Sequence, residues 1–318
     1  MGCHVFGPVP SRRLGRSLGV DLVPFKTCTF DCIYCQLGRT TNKTVERREW
    51  VPLEAVLRDV AANLDKAPDF ITLSGSGEPT LYSRLEELIG GIKHLTRVPV
   101  AVLTNASLLW IPEVRAALAA ADLVAPSLDA GEERVFRHVN RPHGDITFDR
   151  LVEGLIRFRE EYAGQYWLEV FLLGGVTAIP TEVEKIAWVV RQIDPDRVQI
   201  NTVTRPPAEE YAFPVGRSEL QELAAAFGNR AEVIADYRPS HPHADFANRS
   251  KDIVALLRRR PCTVDDIAEG LGLHRNEVIK YVNALAADGV LKTRFRGRTL
   301  YYAAPEQDAS PDMPMPPN

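Results

Sequence analysis

The sequence predicts an α/β protein, in which a partial (β/α)6 TIM-like barrel is followed by a small C-terminal winged-helix domain. Three observations lead to this prediction. Short apolar runs alternate with amphipathic stretches of helical length, and polar or glycine-rich residues follow the apolar runs. Near residue 248 the sequence pattern changes to one of helices followed by two short strands. Alternating buried strands and helices are typical of a parallel sheet with right-handed crossovers.

Six short β-rich runs are the predicted barrel strands: 19–23, 70–73, 98–103, 123–128, 167–173 and 198–203. Five stretches between them have helical length and periodicity: 52–65, 81–94, 112–121, 147–163 and 181–193. Residues 5–19 are rich in Gly, Pro, Arg and Ser, and we expect them to be irregular. In barrels of this kind the functional residues lie in the loops that follow the strands.

Composition divides the chain into four parts. Residues 1–236 form the predicted barrel, and 237–247 form a linker rich in Pro and His, whose histidines we expect to be solvated rather than bound to metal. Residues 248–304 predict a helix at 250–259, a helix capped by Thr263, a helix at 275–287 and two strands around 296–298. This is the order of a winged helix-turn-helix. The tail, 305–318, holds five prolines and is expected to be disordered.

The composition is that of an ordinary globular protein, with 45% hydrophobic and 25% charged residues among 318. No apolar run approaches the roughly 20 residues needed to span a bilayer, so we expect no membrane partner. The N-terminus lacks the basic and apolar regions of a signal peptide. We therefore expect a cytoplasmic protein.

Charge is distributed unevenly along the chain. Residues 246–304 carry 11 Lys/Arg and 6 Asp/Glu, a net +5, whereas residues 1–245 carry a net −6. Lys and Arg that neutralise phosphates supply the sequence-independent part of nucleic-acid affinity. The winged helix is therefore predicted to bind nucleic acid through basic residues of its third helix and hairpin: Arg275, Lys280, Arg294, Arg296 and Arg298. A protein-binding or purely stabilising domain is the alternative.

The most informative stretch is a loop with the spacing C-x3-C-x2-C, formed by Cys28, Cys32 and Cys35. Iron–sulfur clusters are held by cysteine thiolates, and closely spaced cysteines let one loop wrap a cluster. A structural zinc site wants four ligands, usually in two pairs, and no second pair follows here. A disulfide framework is disfavoured because the chain has an odd number of cysteines, five, and no secretory signal.

This spacing, with the aromatic Tyr34 before the third cysteine, resembles the signature of the radical S-adenosylmethionine (SAM) superfamily. The resemblance implies a partial barrel and a [4Fe–4S] cluster on three cysteines, with the amino and carboxylate groups of SAM on the fourth iron. It also implies that an electron, delivered by a donor such as flavodoxin or ferredoxin, cleaves SAM to a 5′-deoxyadenosyl radical.

A second motif follows the second predicted strand. The segment 74–80 resembles the Gly-Gly-Glu motif of the same superfamily, because it contains Gly75, Ser76, Gly77 and Glu78. Glycine lets a backbone approach a ligand closely. The resemblance implies that this backbone and the Glu78 carboxylate hold the methionine part of SAM. Without the cysteine loop nearby, such a segment would be read as an ordinary turn.

Polar residues that follow later strands are further candidates for cofactor binding. By resemblance, Asn105, Ser127 and Asp129 are predicted to contact the SAM carboxylate or ribose. Gln199 and Asn201 are predicted to contact the adenine or the substrate. Asn, Ser and Asp are also favoured as helix caps, so capping is the alternative role for the first three.

The segments 6–19, 140–143 and 199–207 resemble a bacterial and archaeal group of iron–sulfur oxidoreductases. The nearest characterised relatives of that group are the wyosine-type tRNA-modifying enzymes, so the resemblance implies an RNA substrate, tRNA in particular. Those enzymes carry further cysteines for a second cluster, whereas this chain has only Cys3 and Cys262 outside the loop. The alternatives are a radical enzyme for a small molecule or protein, and a DNA-binding redox regulator, which would need no SAM motif.

Overall fold

The computed structural model describes residues 4–11, 13–204, 206–235, 244–258, 261–296 and 299–304. The chain forms two compact units that divide near residue 240. The first unit holds the cysteine loop and the second holds the basic C-terminal residues. Each unit builds a hydrophobic core of its own.

The described part of the first unit contains ten strands: β1 Val5–Ser11, β2 Gly15–Val20, β3 Thr27–Cys28, β4 Asn42–Lys43, β5 Phe70–Leu73, β6 Val100–Thr104, β7 Leu123–Pro126, β8 Gln165–Phe171, β9 Arg197–Asn201 and β10 Ala231–Val233. Eight of them form one sheet in the order β1-β2-β5-β6-β7-β8-β9-β10. Its strands run parallel from β2 to β10, and β1 is antiparallel to β2. The predicted parallel sheet is confirmed.

Helices alternate with these strands: α1 Leu53–Ala61, α2 Leu85–Leu95, α3 Pro112–Leu118, α4 Glu133–Val139, α5 Phe148–Glu161, α6 Pro180–Ile193 and α7 Arg217–Ala224. Helix α2 shows why they form. Leu85, Leu88, Ile89 and Ile92 recur at helical spacing and are all fully buried, so one face of the helix packs on the sheet.

Strands β1 and β2 pair as an antiparallel hairpin, so the irregular structure predicted for residues 5–19 is wrong. Pro8 is tolerated in β1 because this strand lies at the edge of the sheet, where a missing N–H removes no ladder bond. Gly15 has a φ of +63° at the start of β2, a conformation that favours glycine. The strand predicted at 19–23 accordingly ends at Val20.

Besides the two-residue strands β3 and β4, the sequence prediction missed α4, α7 and β10. Helix α7 buries only Leu220 and Ala224, and β10 is three residues long with no buried side chain. Such short elements carry too few apolar residues for periodicity to detect.

The two faces of the sheet differ in character. One face packs against the helices in the main core, and Val102, Val124 and Val198 lie on it. On the opposite face, Leu14 from the β1–β2 turn packs in a small cluster with Ala101, Leu123, Ala125 and Trp167. Because side chains alternate along a strand, this second face also carries the polar residues at the ends of β6 to β9.

The described residues of the second unit form three helices and a hairpin: α8 Ala244–Leu257, α9 Val264–Leu271, α10 Arg275–Ala287, β11 Lys292–Arg296 and β12 Thr299–Ala303. Thr263 caps α9 in a full capping box with Asp266, as its position predicted, and Gly272 ends that helix with a φ of +63°. Helix α8 begins at Ala244, inside the stretch that was predicted as linker.

The rest of that linker, 237–243, and the predicted disordered tail, 305–318, lie outside the described residues. In the part of the chain that is described, none of the helices combines the length and apolarity needed to cross a membrane.

Candidate functional site

The cysteine loop, residues 28–35, carries three half-buried free thiols, those of Cys28, Cys32 and Cys35. Backbone bonds hold its middle against the end of α4. Asp31 N donates to Asn140 O at 3.0 Å, and Ile33 N donates to Val139 O at 2.9 Å. The loop is therefore fixed by a helix that lies a hundred residues further along the chain.

The surroundings of the thiols favour their neutral form. Burial raises the pKa of Cys28 to about 12, and the nearby Glu78 carboxylate adds to this rise. Burial also raises the pKa of Cys32 and of Cys35, and the ammonium of Lys26 opposes the rise at Cys35. Because the thiolate is the metal-binding form, metal binding here must release protons and bring positive charge.

The environment of Lys26 shows whether the residues around the loop fit an iron–sulfur cluster. Its side chain is 5% exposed, and its Nζ is buried without a hydrogen-bond partner in the described structure. Burial lowers the pKa of Lys26, whereas Cys35, Asp31 and the other two cysteines raise it. A buried ammonium is costly unless an anionic group lies next to it. A cluster held by three thiolates is such a group, so the residues present fit it.

Within the described residues, no group of three or more His, Cys, Asp and Glu side chains is arranged to hold a single metal ion. A single zinc ion with Zn–S bonds of about 2.3 Å requires its sulfurs to lie roughly 3.8 Å apart. In a cluster each cysteine binds a different iron, so the three sulfurs need not converge on one point.

The Gly-Ser-Gly-Glu loop, residues 75–78, packs directly on the chain that enters the cysteine loop. Ser76 is buried, and both its N and its Oγ donate to the carboxylate of Asp21 at the end of β2. Ser76 O accepts a bond from Lys26 N at 2.7 Å. A Cβ on Gly77 would lie 1.7 Å from Thr27 O, so only glycine fits there. The two motifs therefore touch, and the strands that precede them, β2 and β5, are neighbours in the sheet.

The carboxylate of Glu78 is 2% exposed and joins this loop to the end of β6. Its Oε1 accepts bonds from Thr80 N at 3.0 Å, Thr80 Oγ1 at 2.7 Å and Thr104 Oγ1 at 2.6 Å. Its Oε2 accepts one bond, from Asn105 N at 2.8 Å. Burial raises the pKa of Glu78, and these bonds oppose the rise. Oε2 keeps one acceptor position for a further donor such as an ammonium group.

Asn105 lies between the two motifs. Its Nδ2 donates to Thr29 Oγ1 at 2.8 Å and to Cys28 Sγ at 3.5 Å, and its Oδ1 accepts from Ser107 N at 3.0 Å. The side chain therefore caps the following turn and also contacts the sulfur of a predicted cluster ligand.

Asp129 is 3% exposed and lies next to the cysteine loop. Its Oδ2 accepts from Tyr34 Oη and from Asn140 Nδ2, and its Oδ1 is buried without a partner in the described structure. Burial raises the pKa of Asp129 to about 6. Asn140 Nδ2 also donates to Cys32 Sγ at 3.5 Å, and the Tyr34 ring stacks on Phe171 with centroids 3.9 Å apart. Neither Asn140 nor Phe171 was predicted as a site residue, although Asn140 begins one of the segments that carry the family resemblance.

Gln199 and Asn201 lie on the sheet face away from the helices and belong to one polar network. Gln199 Oε1 accepts from Arg13 Nη1 at 3.0 Å, and its Nε2 donates to Glu232 Oε1 at 2.9 Å. Asn201 Nδ2 donates to Glu169 Oε1 at 2.8 Å. Arg13 pairs with Glu169 at 2.5 Å, so an arginine from the β1–β2 turn completes the network. Ser127 is half-buried and pairs by a backbone bridge with Glu169.

The segment after β9 closes on the cysteine loop through Glu209. Its N donates to Ile33 O at 2.9 Å, and its buried carboxylate accepts from Arg39 Nη2 at 2.9 Å and from Arg141 Nη1 at 2.7 Å. These contacts hold the middle of the cysteine loop against the segment that follows β9.

The predicted nucleic-acid residues differ in their surroundings. Arg294 on β11 is exposed, Lys280 is half-buried on α10, and Arg275 Nε pairs with Asp265 Oδ1 at 2.7 Å. The side chain of Arg296 and the whole of Arg298 lie outside the described residues.

Comparison with known proteins agrees with this geometry. Residues 22–187 match the family model of the Radical SAM superfamily, a stretch that spans the cysteine loop and the strands from β3 to β8. A solved radical SAM methyltransferase from Sphaerobacter thermophilus has the same fold, with a TM-score of 0.52 at 17% identity over 68% of this chain and 66% of that chain.

Two curated relatives are similar over most of this chain. UPF0026 protein MJ1312 of Methanocaldococcus jannaschii is 33% identical over 306 residues, 93% of this chain and 94% of that protein. A protein named GTPase Obg from Brachyspira hyodysenteriae is 39% identical over 306 residues, and this chain spans 45% of its length. The phosphate-binding motif G-x4-G-K-[ST] of P-loop GTPases occurs nowhere in the present sequence.

The matched stretch contains both motifs on which the site is built, the cysteine loop and the Gly-Ser-Gly-Glu loop. Members of the matched superfamily are enzymes that use a [4Fe–4S] cluster and SAM, and the buried, unpartnered ammonium of Lys26 fits an anionic cluster at the cysteine loop. The chain therefore belongs to the radical SAM superfamily of enzymes and, with the relative from Methanocaldococcus jannaschii, to the UPF0026 family.

Proposed function

We propose that this enzyme acts on RNA, with tRNA as its substrate, and that its second unit is a winged helix-turn-helix that docks the RNA. The observation that carries the proposal is the exposed basic hairpin. Lys292 and Arg294 are exposed on β11, and their two-residue spacing puts them on the same face of the strand. Phe295 follows Arg294 on the other face of the strand and is 39% exposed, and an exposed aromatic ring on a basic hairpin is suited to stacking on unpaired bases.

Within the first unit, a partial barrel, the chain's own residues hold and orient the reactants. When bound, the reduced cluster and SAM supply a carbon radical that removes a hydrogen atom from the substrate. Cys28, Cys32 and Cys35 hold the cluster, and the Gly-Ser-Gly-Glu loop with Glu78 holds the methionine part of SAM. The Gln199 and Asn201 network would contact the adenine or the substrate. We place the reaction in the cytoplasm, with flavodoxin or ferredoxin as the electron donor.

Two alternatives are outcomes of the test. A radical enzyme for a small molecule or a protein would use the second unit as a protein-binding module. A DNA-binding redox regulator is disfavoured because the superfamily consists of enzymes.

The test measures retention of tRNA and of duplex DNA by the cluster-loaded protein between 50 and 200 mM salt. We expect Arg294→Ala to weaken tRNA retention and to reduce the salt slope by roughly 0.7–0.9, because one phosphate contact is lost. Arg191→Ala is the matched control, since it removes an exposed arginine from α6 of the acidic first unit.

Unchanged tRNA retention by the Arg294→Ala variant would contradict the proposal that the second unit docks the RNA. Tighter retention of duplex DNA than of tRNA would favour the regulator. A tRNA nucleoside of altered mass, found after incubation with reductant and SAM, would identify the substrate class.

A further inference from the structure

Lys26 occupies a constrained position two residues before the first cysteine of the loop. Its N donates to Ser76 O at 2.7 Å, and its O accepts from Thr41 N at 3.2 Å and from Asn42 N at 3.1 Å. Its φ is +66°, a left-handed conformation that non-glycine residues keep only where the surroundings enforce it. The backbone is therefore held between the SAM motif and the segment that follows the cysteines.

The side chain of Lys26 runs under the cysteine loop and ends without a partner. Nζ is buried, and a Cβ on Gly38 would lie 3.5 Å from it, so the ammonium lies beneath the turn that Gly38 N closes on Cys35 O. The carbonyl that closes this turn belongs to Cys35, one of the three predicted cluster ligands.

A buried ammonium in this position is stable only next to an anion. Burying a charge without a partner is costly, and a nearby negative group offsets that cost. A cluster held by three thiolates is anionic, and it gains one further negative charge when it accepts an electron. Low dielectric strengthens the attraction, because solvent does not screen an ammonium whose nitrogen is buried.

We propose that Lys26 is a positioning residue for radical generation, and that its buried ammonium faces the bound cluster and raises its reduction potential. This inference rests on the cofactors of the superfamily and is independent of the RNA substrate. The balance is simple. The cluster takes up one electron from an external one-electron donor, no bond forms or breaks at Lys26, and the fixed positive charge stabilises the reduced form more than the oxidised form.

The test is a potentiometric titration of the cluster in the full chain, reduced with dithionite and followed by electron paramagnetic resonance. Lys26→Met removes the charge, keeps the length of the side chain and leaves the strain at φ unchanged, since both residues have a Cβ. We expect the reduction equilibrium constant to fall at least tenfold, which is about 59 mV for one electron.

Lys43→Met is the matched control. Lys43 pairs with Cys28 across β3 and β4, but its side chain is exposed, and its Nζ donates to Arg141 O and Pro142 O. Solvent screens this charge, so we expect less than a threefold change in the equilibrium constant. A Lys26→Met potential equal to that of the unchanged protein would overturn the proposal, and so would equal shifts in both variants.

Lys26→Arg covers the case in which the neutral variant takes up no cluster. If the arginine variant then binds four irons at the unchanged potential, charge at this position is required, and the proposal stands. If the arginine variant also fails to bind iron while remaining folded, Lys26 acts through packing alone, and the proposal falls. Release of a modified tRNA nucleoside is not part of this test, so a different substrate leaves its outcome unaffected.

Discussion

Replacing Gly77 with alanine separates the two loops on which the site is built. The new methyl carbon would lie 1.7 Å from Thr27 O and 2.7 Å from Thr27 C, and neither backbone atom can rotate away. The Gly-Ser-Gly-Glu loop must therefore move off the chain that enters the cysteine loop. Two backbone bonds lie at this contact, Glu78 N to Thr27 O at 3.2 Å and Lys26 N to Ser76 O at 2.7 Å.

The expected cost follows from these contacts. Overpacking a rigid site costs about 1–3 kcal/mol, and each lost backbone bond costs about 1 kcal/mol. We therefore expect the free energy of unfolding of the cluster-free Gly77→Ala protein to fall by about 3 kcal/mol. We also expect the variant to take up less iron, because Lys26 and Cys28 are displaced with Thr27.

Urea unfolding measures the first effect, and iron per chain after reconstitution measures the second. Gly90→Ala is the matched control, because a Cβ at this position in α2 meets no atom within 4 Å. An alanine inside a helix should stabilise the protein by about 1 kcal/mol and leave iron uptake unchanged. A Gly77→Ala protein with unchanged stability and full iron uptake would refute the close packing of the two motifs.

Further predictions concern the residues around the loop. The pKa of Asp129 is raised by burial from 3.8 to about 6, so the native state binds more protons than the unfolded state between these values, and stability falls as pH rises through them. Asp129→Asn should remove this dependence of stability on pH. At 1.36 kcal/mol for each pH unit, it should stabilise the cluster-free protein at pH 7 by up to about 3 kcal/mol. An unchanged pH dependence of the free energy of unfolding in urea would contradict the assignment. Asn105→Ala removes the side-chain bonds to Thr29, Cys28 and Ser107. We therefore expect thermal unfolding to show a stability lower by about 2 kcal/mol, and gel filtration to show weaker retention of the cluster. Equal retention of the cluster would show that this amide is dispensable.

Sequence alone predicted the parts of the site that are local in the chain. The C-x3-C-x2-C spacing lies within eight residues, and Glu78 follows the strand next to the loop. Parallel strands end at one edge of a sheet, so polar residues after β6 to β9 were expected to share that edge. The structure does bring Asn105 beside Cys28 and Asp129 beside the loop.

The parts that sequence did not predict depend on contacts between distant residues. Asn140 lies 108 residues from Cys32, and Glu209 reaches Arg39 across 170 residues. Lys26 sits beside the cysteines in sequence, but only the packing of the loop shows that its ammonium is buried. The β1–β2 hairpin was not predicted because prolines usually argue against a strand, whereas an edge strand tolerates them.

The central claim is that the cysteine loop holds a cluster on which SAM is cleaved. The most direct measurement is the amount of 5′-deoxyadenosine released by the reconstituted protein when it receives dithionite and SAM under anaerobic conditions. We expect release by the unchanged protein and none by Cys28→Ser, Cys32→Ser or Cys35→Ser, each checked for retained folding by circular dichroism. A fully loaded protein that releases no 5′-deoxyadenosine, or a serine variant that releases as much as the unchanged protein, would contradict the claim.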